Sequence, residues 1–377
     1  MSYSPKIVLG LGGMGSATLY HLSQRGVEPM GIEQFQTGHS KGSSYGHSRV
    51  FRSLYEKPQY IDMTQKSYEL WRQLERHSGH HLLTLNGMLF FARPDNKPLQ
   101  DNMAIYRESG MPCEDLSPEE AARRHPALSL PGNSTVFYTP MAGFLNASQC
   151  VETHVGLASS SGATVFQECP VTQIDISGDQ PVVVTEDGTW KCDRLVVTAG
   201  PWTSQLFASI GLPLTVTRQQ KFYFEGSGKA DLLPGKLPVF ADYDTDFYGF
   251  PWHVKGIKAA DDIDGAPVNP DCPDRSLNMS TARELEAWVN QIMPGRQFRY
   301  TTGETCMYTV TPDRDFMIGR HPSNPNVIIG AGFSGHGFKF SSLVGRTLAQ
   351  LALDDEANIP LEMFDPGRFT GIQEPTS

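Results

Sequence analysis

The residues best suited to chemistry stand near the start of the chain. Residues 7–9 are apolar, and Gly10, Gly12 and Gly15 follow with the spacing G-x-G-x-x-G. Gly10 permits the tight turn out of a strand, Gly12 lets a pyrophosphate approach bare backbone, and Gly15 lets the next helix lie close on that strand. The phosphates then meet the positive end of the helix. Glu33 closes a second apolar run roughly 20 residues on, where a carboxylate accepts hydrogen bonds from both ribose hydroxyls of an adenosine and disfavours a 2′-phosphate. Strand, glycines, helix, strand and acid in this order predict dinucleotide binding. Arg49 and Arg52 stand three apart in the polar stretch 37–52, which is too long to be a bare connection. If that stretch turns helical, the two arginines share a face.

The elements around these residues follow from periodicity and punctuation. A helix is expected over 16–25, a core-packing helix over 60–76, a strand over 88–92, and a helix start at Ser117-Pro118 with Ser117 as cap. A helix over 147–159 precedes strands at 164–166, 171–176, 182–184 and 195–198, read as one returning sheet that Gly200-Pro201-Trp202 closes. Residues 218–299 read as irregular, with turns at Asp264-Gly265 and Pro294-Gly295. One clear helix there starts at Thr281, with Leu285, Trp288, Val289 and Ile292 on one face. A strand over 326–332 then runs into a glycine-rich turn and a helix to about residue 353. A first strand whose neighbours come from the far end of the chain implies a discontinuous nucleotide domain. The expected division is 1–85, 145–215 and 305–377 for that domain, and 86–144 and 216–304 for an inserted substrate domain.

Composition narrows the function classes. The chain has 377 residues, 39% hydrophobic and 19% charged, with a formal charge of −10 that argues against nucleic acid and against an anionic membrane surface. No apolar run reaches the ~18 residues of a membrane span, and the opening residues carry no basic leader, so a cytoplasmic protein is expected. Pro375-Thr376-Ser377 is not a peroxisomal Ser-Lys-Leu. The six cysteines, Cys113, Cys150, Cys169, Cys192, Cys272 and Cys306, form no C-x-x-C pair, so neither a metal site nor a disulfide framework is expected.

Four motifs together resemble the monomeric sarcosine oxidase family. They are the opening glycines with Glu33; Gly42-Ser43-Ser44 with Arg49 and Arg52; Cys306-Met307-Tyr308-Thr309 with Thr311-Pro312-Asp313; and Gly332-Phe333-Ser334-Gly335-His336-Gly337-Phe338-Lys339. The resemblance spans nearly the whole chain. It implies an α/β protein with a glutathione-reductase-like, FAD-binding Rossmann domain and an inserted mixed-sheet substrate domain. The implied activity is oxidation of the secondary amine of an N-substituted amino acid by molecular oxygen, in a single chain. Cys306 matches the cysteine that joins the flavin 8α-methyl as a thioether, and a thiolate is nucleophilic enough for that bond. With it in the cofactor set stand Gly10, Gly12, Gly13, Met14, Gly15, Glu33, Gln34, Ser43, Ser44, Ser48, Arg49, Val171, Gly200, Trp202, Met307, Gly332, Gly335, His336, Gly337, Phe338 and Lys339.

Arg52 and Lys339 match the pair that holds the substrate carboxylate, a planar fork and a point charge. Arg49 and Lys258 match cations near the flavin N5 edge, and the lysine is implied to activate oxygen. Tyr248, in Tyr248-Gly249-Phe250-Pro251, joins the substrate set. The family's histidine four residues past this lysine is Asp262 here. An acid at that position is similar to fructosyl amino acid oxidases, where it contacts the sugar; it reads equally as a turn residue before Asp264-Gly265. On Asp262 a fructosyl amino acid is favoured over sarcosine or another N-methyl amino acid, with a cyclic imino acid such as pipecolate third. An NAD-dependent dehydrogenase would leave Cys306 and Lys258 unexplained, and a non-catalytic flavoprotein remains a further class.

Overall fold

The protein, seen in a computed structural model, is described over residues 2–207 and 212–369. Its first layer is a six-stranded sheet. Thr164–Phe166, Met30–Ile32, Lys6–Leu9, Arg194–Val197 and Asn324–Ala331 run parallel in that order, and Met317–His321 closes one edge antiparallel. Ile7, Val8 and Leu9 are buried, as central strands must be when both faces are covered. The helix Gly13–Ser23 starts at the glycines, three residues ahead of expectation, and packs against Ser341–Ala352 from the far end of the chain. A Cβ on Gly345 would lie 2.4 Å from Ala17 Cβ, so this close helix pair requires the glycine.

The strands expected as one returning sheet divide between two. Thr164–Phe166 and Arg194–Val197 join the parallel sheet, whereas Val171–Asp175, Val182–Thr185, Gly188–Lys191 and Ser2–Tyr3 form a separate four-stranded sheet. Buried and half-exposed residues alternate along Val182–Thr185, the mark of a sheet with one wet face. Gly200–Trp202 is a short 3-10 turn.

Residues 218–299 are more regular than their sequence suggested. An eight-stranded sheet runs Arg299–Val310, Thr215–Glu225, Ile257–Asp261, Phe247–Phe250, Val239–Asp242, Met88–Ala92, Thr135–Thr139, Glu114–Leu116. Its two longest strands hold 12 and 11 residues and are paired antiparallel along their length. Polar residues facing a cavity broke the apolar alternation that would have revealed them. The helix Met279–Ile292 starts two residues before Thr281, because the Asn278 side chain caps it by accepting from Ser280 N at 3.0 Å. Its apolar face, with Leu285, Trp288, Val289 and Ile292, is buried as expected.

Arg49–Phe51 is a strand, not a helical turn; it pairs with Gly143–Leu145, which also pairs with Leu83–Leu85. Helices Pro58–Ser78, Pro118–Arg124 and Ala147–Ser160 follow their sequence signals. Among the described residues no helix is long and apolar enough to cross a membrane. Pro375-Thr376-Ser377 lies outside the described residues.

Candidate active site

A cavity of about 430 Å³ begins at the glycine turn. Gly10 sits at φ +84°, and its N–H donates to Ile32 O at 2.8 Å. A Cβ on Gly15 would lie 1.8 Å from Gly10 O, so Gly15 packs the helix onto the turn and stays behind the wall. Gly10, Gly12, Gly13 and Met14 line the cavity, and Gly13 N–H donates to Ser44 Oγ at 3.0 Å. A Cβ on Gly13 would come within 3.1 Å of the Phe338 ring. Bare backbone at a helix N-terminus is the cradle a pyrophosphate needs.

Glu33 is buried on the same wall and accepts from Leu11 N at 2.7 Å and Phe35 N at 3.1 Å. Burial raises its carboxyl pKa, and these backbone donors oppose the rise. Gln34, Ser43, Val171, Gly200, Trp202, Gly332, Gly335, Gly337 and Phe338 complete the lining. Cavity, glycine cradle and ribose acid fit an FAD.

Cys306, Met307, Lys258 and Arg49 line this same cavity. Ser43 Oγ donates to Met307 O at 2.5 Å, and the Tyr45 hydroxyl donates to Thr305 O, so the polar loop fixes the strand that carries Cys306. Lys258 Nζ donates to Ser48 O at 2.6 Å and lies 3.5 Å from the Phe250 ring centroid. Ser48 therefore acts from behind the wall through its carbonyl. Burial, then the charges of Arg49 and Lys221, pull the Lys258 pKa well below the ordinary lysine value. Arg49 Nη2 donates to Ser43 O at 3.1 Å.

A second cavity, about 380 Å³, shares Val50, Tyr248, Tyr308, Ser334 and Gly335 with the first. Arg52, Lys339, Tyr248 and Asp262 all line it. Lys339 is 1% exposed; its Nζ donates to the Tyr55 hydroxyl at 2.7 Å and to His336 O at 2.6 Å. Burial, then Arg52, lowers its pKa well below the ordinary value, with Asp262 opposing. The Arg52 guanidinium carbon lies 4.7 Å from the Tyr55 ring centroid. Extended backbone explains why Arg49 faces the first cavity and Arg52 the second, where a helix would have put them together. His336 and Lys339, grouped from sequence with the cofactor set, line the second cavity only.

Asp262 stands at the open end of a hairpin rather than in a turn. It follows the strand Ile257–Asp261, its N–H donates to Asp246 O at 2.9 Å across a hairpin, and its side chain lines the second cavity. Sequence reasoning missed Lys221, Glu304 and Tyr45, which surround Cys306. The available signal was the polar alternation Thr217, Gln219, Lys221, which marks one face of a strand.

Residues 7–351 match the family described as "FAD dependent oxidoreductase". The chain is 35% identical over 372 residues to the monomeric sarcosine oxidase of Streptomyces avermitilis, covering 96% of this chain and 97% of that protein. It is 29% identical over 370 residues to N-methyl-L-tryptophan oxidase of Yersinia pestis, covering 96% and 98%. Among solved structures, L-proline dehydrogenase from P. horikoshii superposes with a TM-score of 0.88 at 23% identity, covering 98% of each chain. NikD, an unusual amino acid oxidase essential for nikkomycin biosynthesis, gives 0.84 at 22%, covering 97% and 98%. At these identities the two structures speak for the fold.

Proposed function

Because the chain belongs to the FAD-dependent oxidoreductases and, within them, to the family of the monomeric sarcosine oxidases, we propose that it oxidises the secondary amine of an N-substituted amino acid. The observation that carries this reading is the shared wall. A nucleotide cradle ends at Cys306 and Lys258, and on the other side of Tyr248 and Tyr308 stand Arg52 and Lys339. Such a pair of cations suits a carboxylate in an otherwise acidic protein.

Gly10, Gly12, Gly13 and Met14 would hold the pyrophosphate of FAD, Glu33 the ribose, and Cys306 the 8α carbon through a thioether. Held there, FAD would supply the two-electron redox chemistry, as hydride acceptor for the substrate's N-substituent carbon and electron donor to oxygen. The protein does the positioning. Arg52 and Lys339 anchor the carboxylate, Tyr248 and Tyr308 bound the space for the amine, and Arg49 with Lys258 sets positive charge where negative charge develops. A substrate amine bound neutral needs no side-chain base, and water hydrolyses the product imine. Residues 1–85, 145–215 and 305–377 are read as the FAD-holding part, and 86–144 with 216–304 as the substrate part. The six unpaired thiols suit a reducing compartment such as the cytoplasm.

The substrate we favour is sarcosine or another N-methyl amino acid. The fructosyl amino acid suggested by Asp262 gives way, since the relatives reported above are named for N-methyl amino acids and Asp262 is also accounted for as a hairpin residue. Oxygen uptake measured side by side with sarcosine, N-methyl-L-tryptophan, fructosyl-glycine and pipecolate tests the choice. Fast turnover of fructosyl-glycine with inert N-methyl substrates would reverse it.

A further inference from the structure

Lys221 belongs to none of the motifs that mark the site, yet it stands on the wall of the first cavity. The strands Thr215–Glu225 and Arg299–Val310 pair with Gln219 opposite Cys306 and Lys221 opposite Glu304. Side chains alternate along a strand, so all four share one face and Lys221 is the diagonal neighbour of Cys306. Lys221 is 5% exposed; its Nζ forms an ion pair with Glu304 Oε2 at 2.9 Å and lies 4.1 Å from the Tyr45 ring centroid. Glu304 also pairs with the more exposed Lys255. Placing an ammonium here costs solvation that an apolar residue on the same strand would not lose.

Resting on the reading that Cys306 carries the flavin, we propose that Lys221 takes the proton of the Cys306 thiol and then, as ammonium, holds the thiolate while the thioether forms. The S–H bond and one C–H bond of the 8α-methyl break, and the S–C bond forms. The two electrons released enter the flavin ring and leave to molecular oxygen, which takes up two protons as hydrogen peroxide, so the ring ends oxidised. A thiolate, not a thiol, is the nucleophile such a step requires.

The surroundings suit this exchange. Burial first, then the Arg49 charge, brings the Lys221 pKa down to about 8, while Cys306 and Glu304 pull it upward. Both protonation states are therefore reached near neutral pH. The charged and titratable groups facing it are Arg49 from the strand Arg49–Phe51, Lys258 from Ile257–Asp261, Glu304 and Cys306 from Arg299–Val310, Tyr45 from the polar loop, and Tyr223 two places along its own strand. The Glu304 carboxyl, despite the upward push of burial, is drawn down to about 2 by Lys255 and Lys221, so it stays a carboxylate and is no base at neutral pH.

The test follows acid-stable flavin over time after FAD is added to the full-length chain purified without flavin, with non-covalent binding read separately from quenching of FAD fluorescence. Lys221→Met should bind FAD yet form the tether roughly 100-fold more slowly at pH 7. The rate should recover as the pH is raised, because hydroxide can then take the thiol proton in place of Lys221. Lys221→Arg, which keeps charge but cannot take the proton, should fall between and show the same recovery; it carries the test if Lys221→Met does not bind FAD. Tethering at the wild-type rate in either variant at pH 7, or a loss that no rise in pH restores, overturns the role of Lys221. Absence of acid-stable flavin in the wild type overturns the tether itself, and this role with it.

Discussion

Lys339 Nζ donates to the Tyr55 hydroxyl at 2.7 Å and to a backbone carbonyl, and among the described residues no carboxylate lies within ion-pair distance of it. A buried ammonium held by neutral oxygens beside Arg52, with Asp262 acting on it only from beyond contact, gains a contact counter-charge from a substrate carboxylate. Lys339→Met should raise KM for the amino acid by roughly 30-fold or more, the ~2 kcal/mol expected for truncating one partner of a buried charge pair. Tyr55→Phe should raise it about fivefold, for one lost hydrogen bond of ~1 kcal/mol. Steady-state oxygen uptake reads both, and an unchanged KM in Lys339→Met would remove the carboxylate anchor from the account.

Lys258 faces the first cavity and, among the described residues, its Nζ donates only to Ser48 O, at 2.6 Å. We assign its charge to the oxygen half-reaction. Lys258→Met should slow reoxidation by roughly 100-fold and reduction much less. Stopped-flow absorbance separates the two steps; equal losses in both would mean that the lysine only supports the wall.

Gly15 tolerates no side chain, because a Cβ there would lie 1.8 Å from Gly10 O. Helix and turn must then separate. Gly15→Ala should cost about 3 kcal/mol or more and yield protein that no longer retains FAD. Flavin content per chain and thermal unfolding check this, and a yellow variant of wild-type stability would contradict the close approach.

His154 is 1% exposed among Tyr20 and Trp71, and burial first, then His21, pushes its pKa down to about 3. Unfolded, the same imidazole titrates near 6.5. The unfolded chain thus binds one proton more between these values, so the stabilisation is complete above about pH 6.5 and is lost as pH falls, by about 1.4 kcal/mol per pH unit at full slope. His154→Leu should flatten the fall of melting temperature between pH 6.5 and 4. Parallel melting curves for both proteins would show that another group governs acid stability.

Much of the cofactor side was legible in the sequence because its constraints are local. The glycines and Glu33 act within one strand–turn–helix–strand unit, and spacing alone identifies them. The conformation of the arginine pair stayed open for the opposite reason: it depends on pairing with Gly143–Leu145, far along the chain, and nothing within 49–52 announces that. Lys221 and Glu304 stayed hidden because the strands carrying them put polar residues on an inner face, which defeats the rule that apolar positions mark the core. Asp262 shows the limit in the other direction, since its type and neighbours suited a turn as well as a site, and it stands at the open end of a hairpin on the wall of the second cavity.

A flavin held between Cys306 and the glycine turn should take electrons from an N-methyl amino acid docked on Arg52 and Lys339. Anaerobic titration of the purified yellow protein tests it most directly. Addition of sarcosine or N-methyl-L-tryptophan should bleach the flavin absorbance, and admission of oxygen should restore it with one peroxide formed per flavin. A flavin spectrum that none of the secondary amino acids in the substrate panel alters would contradict the account.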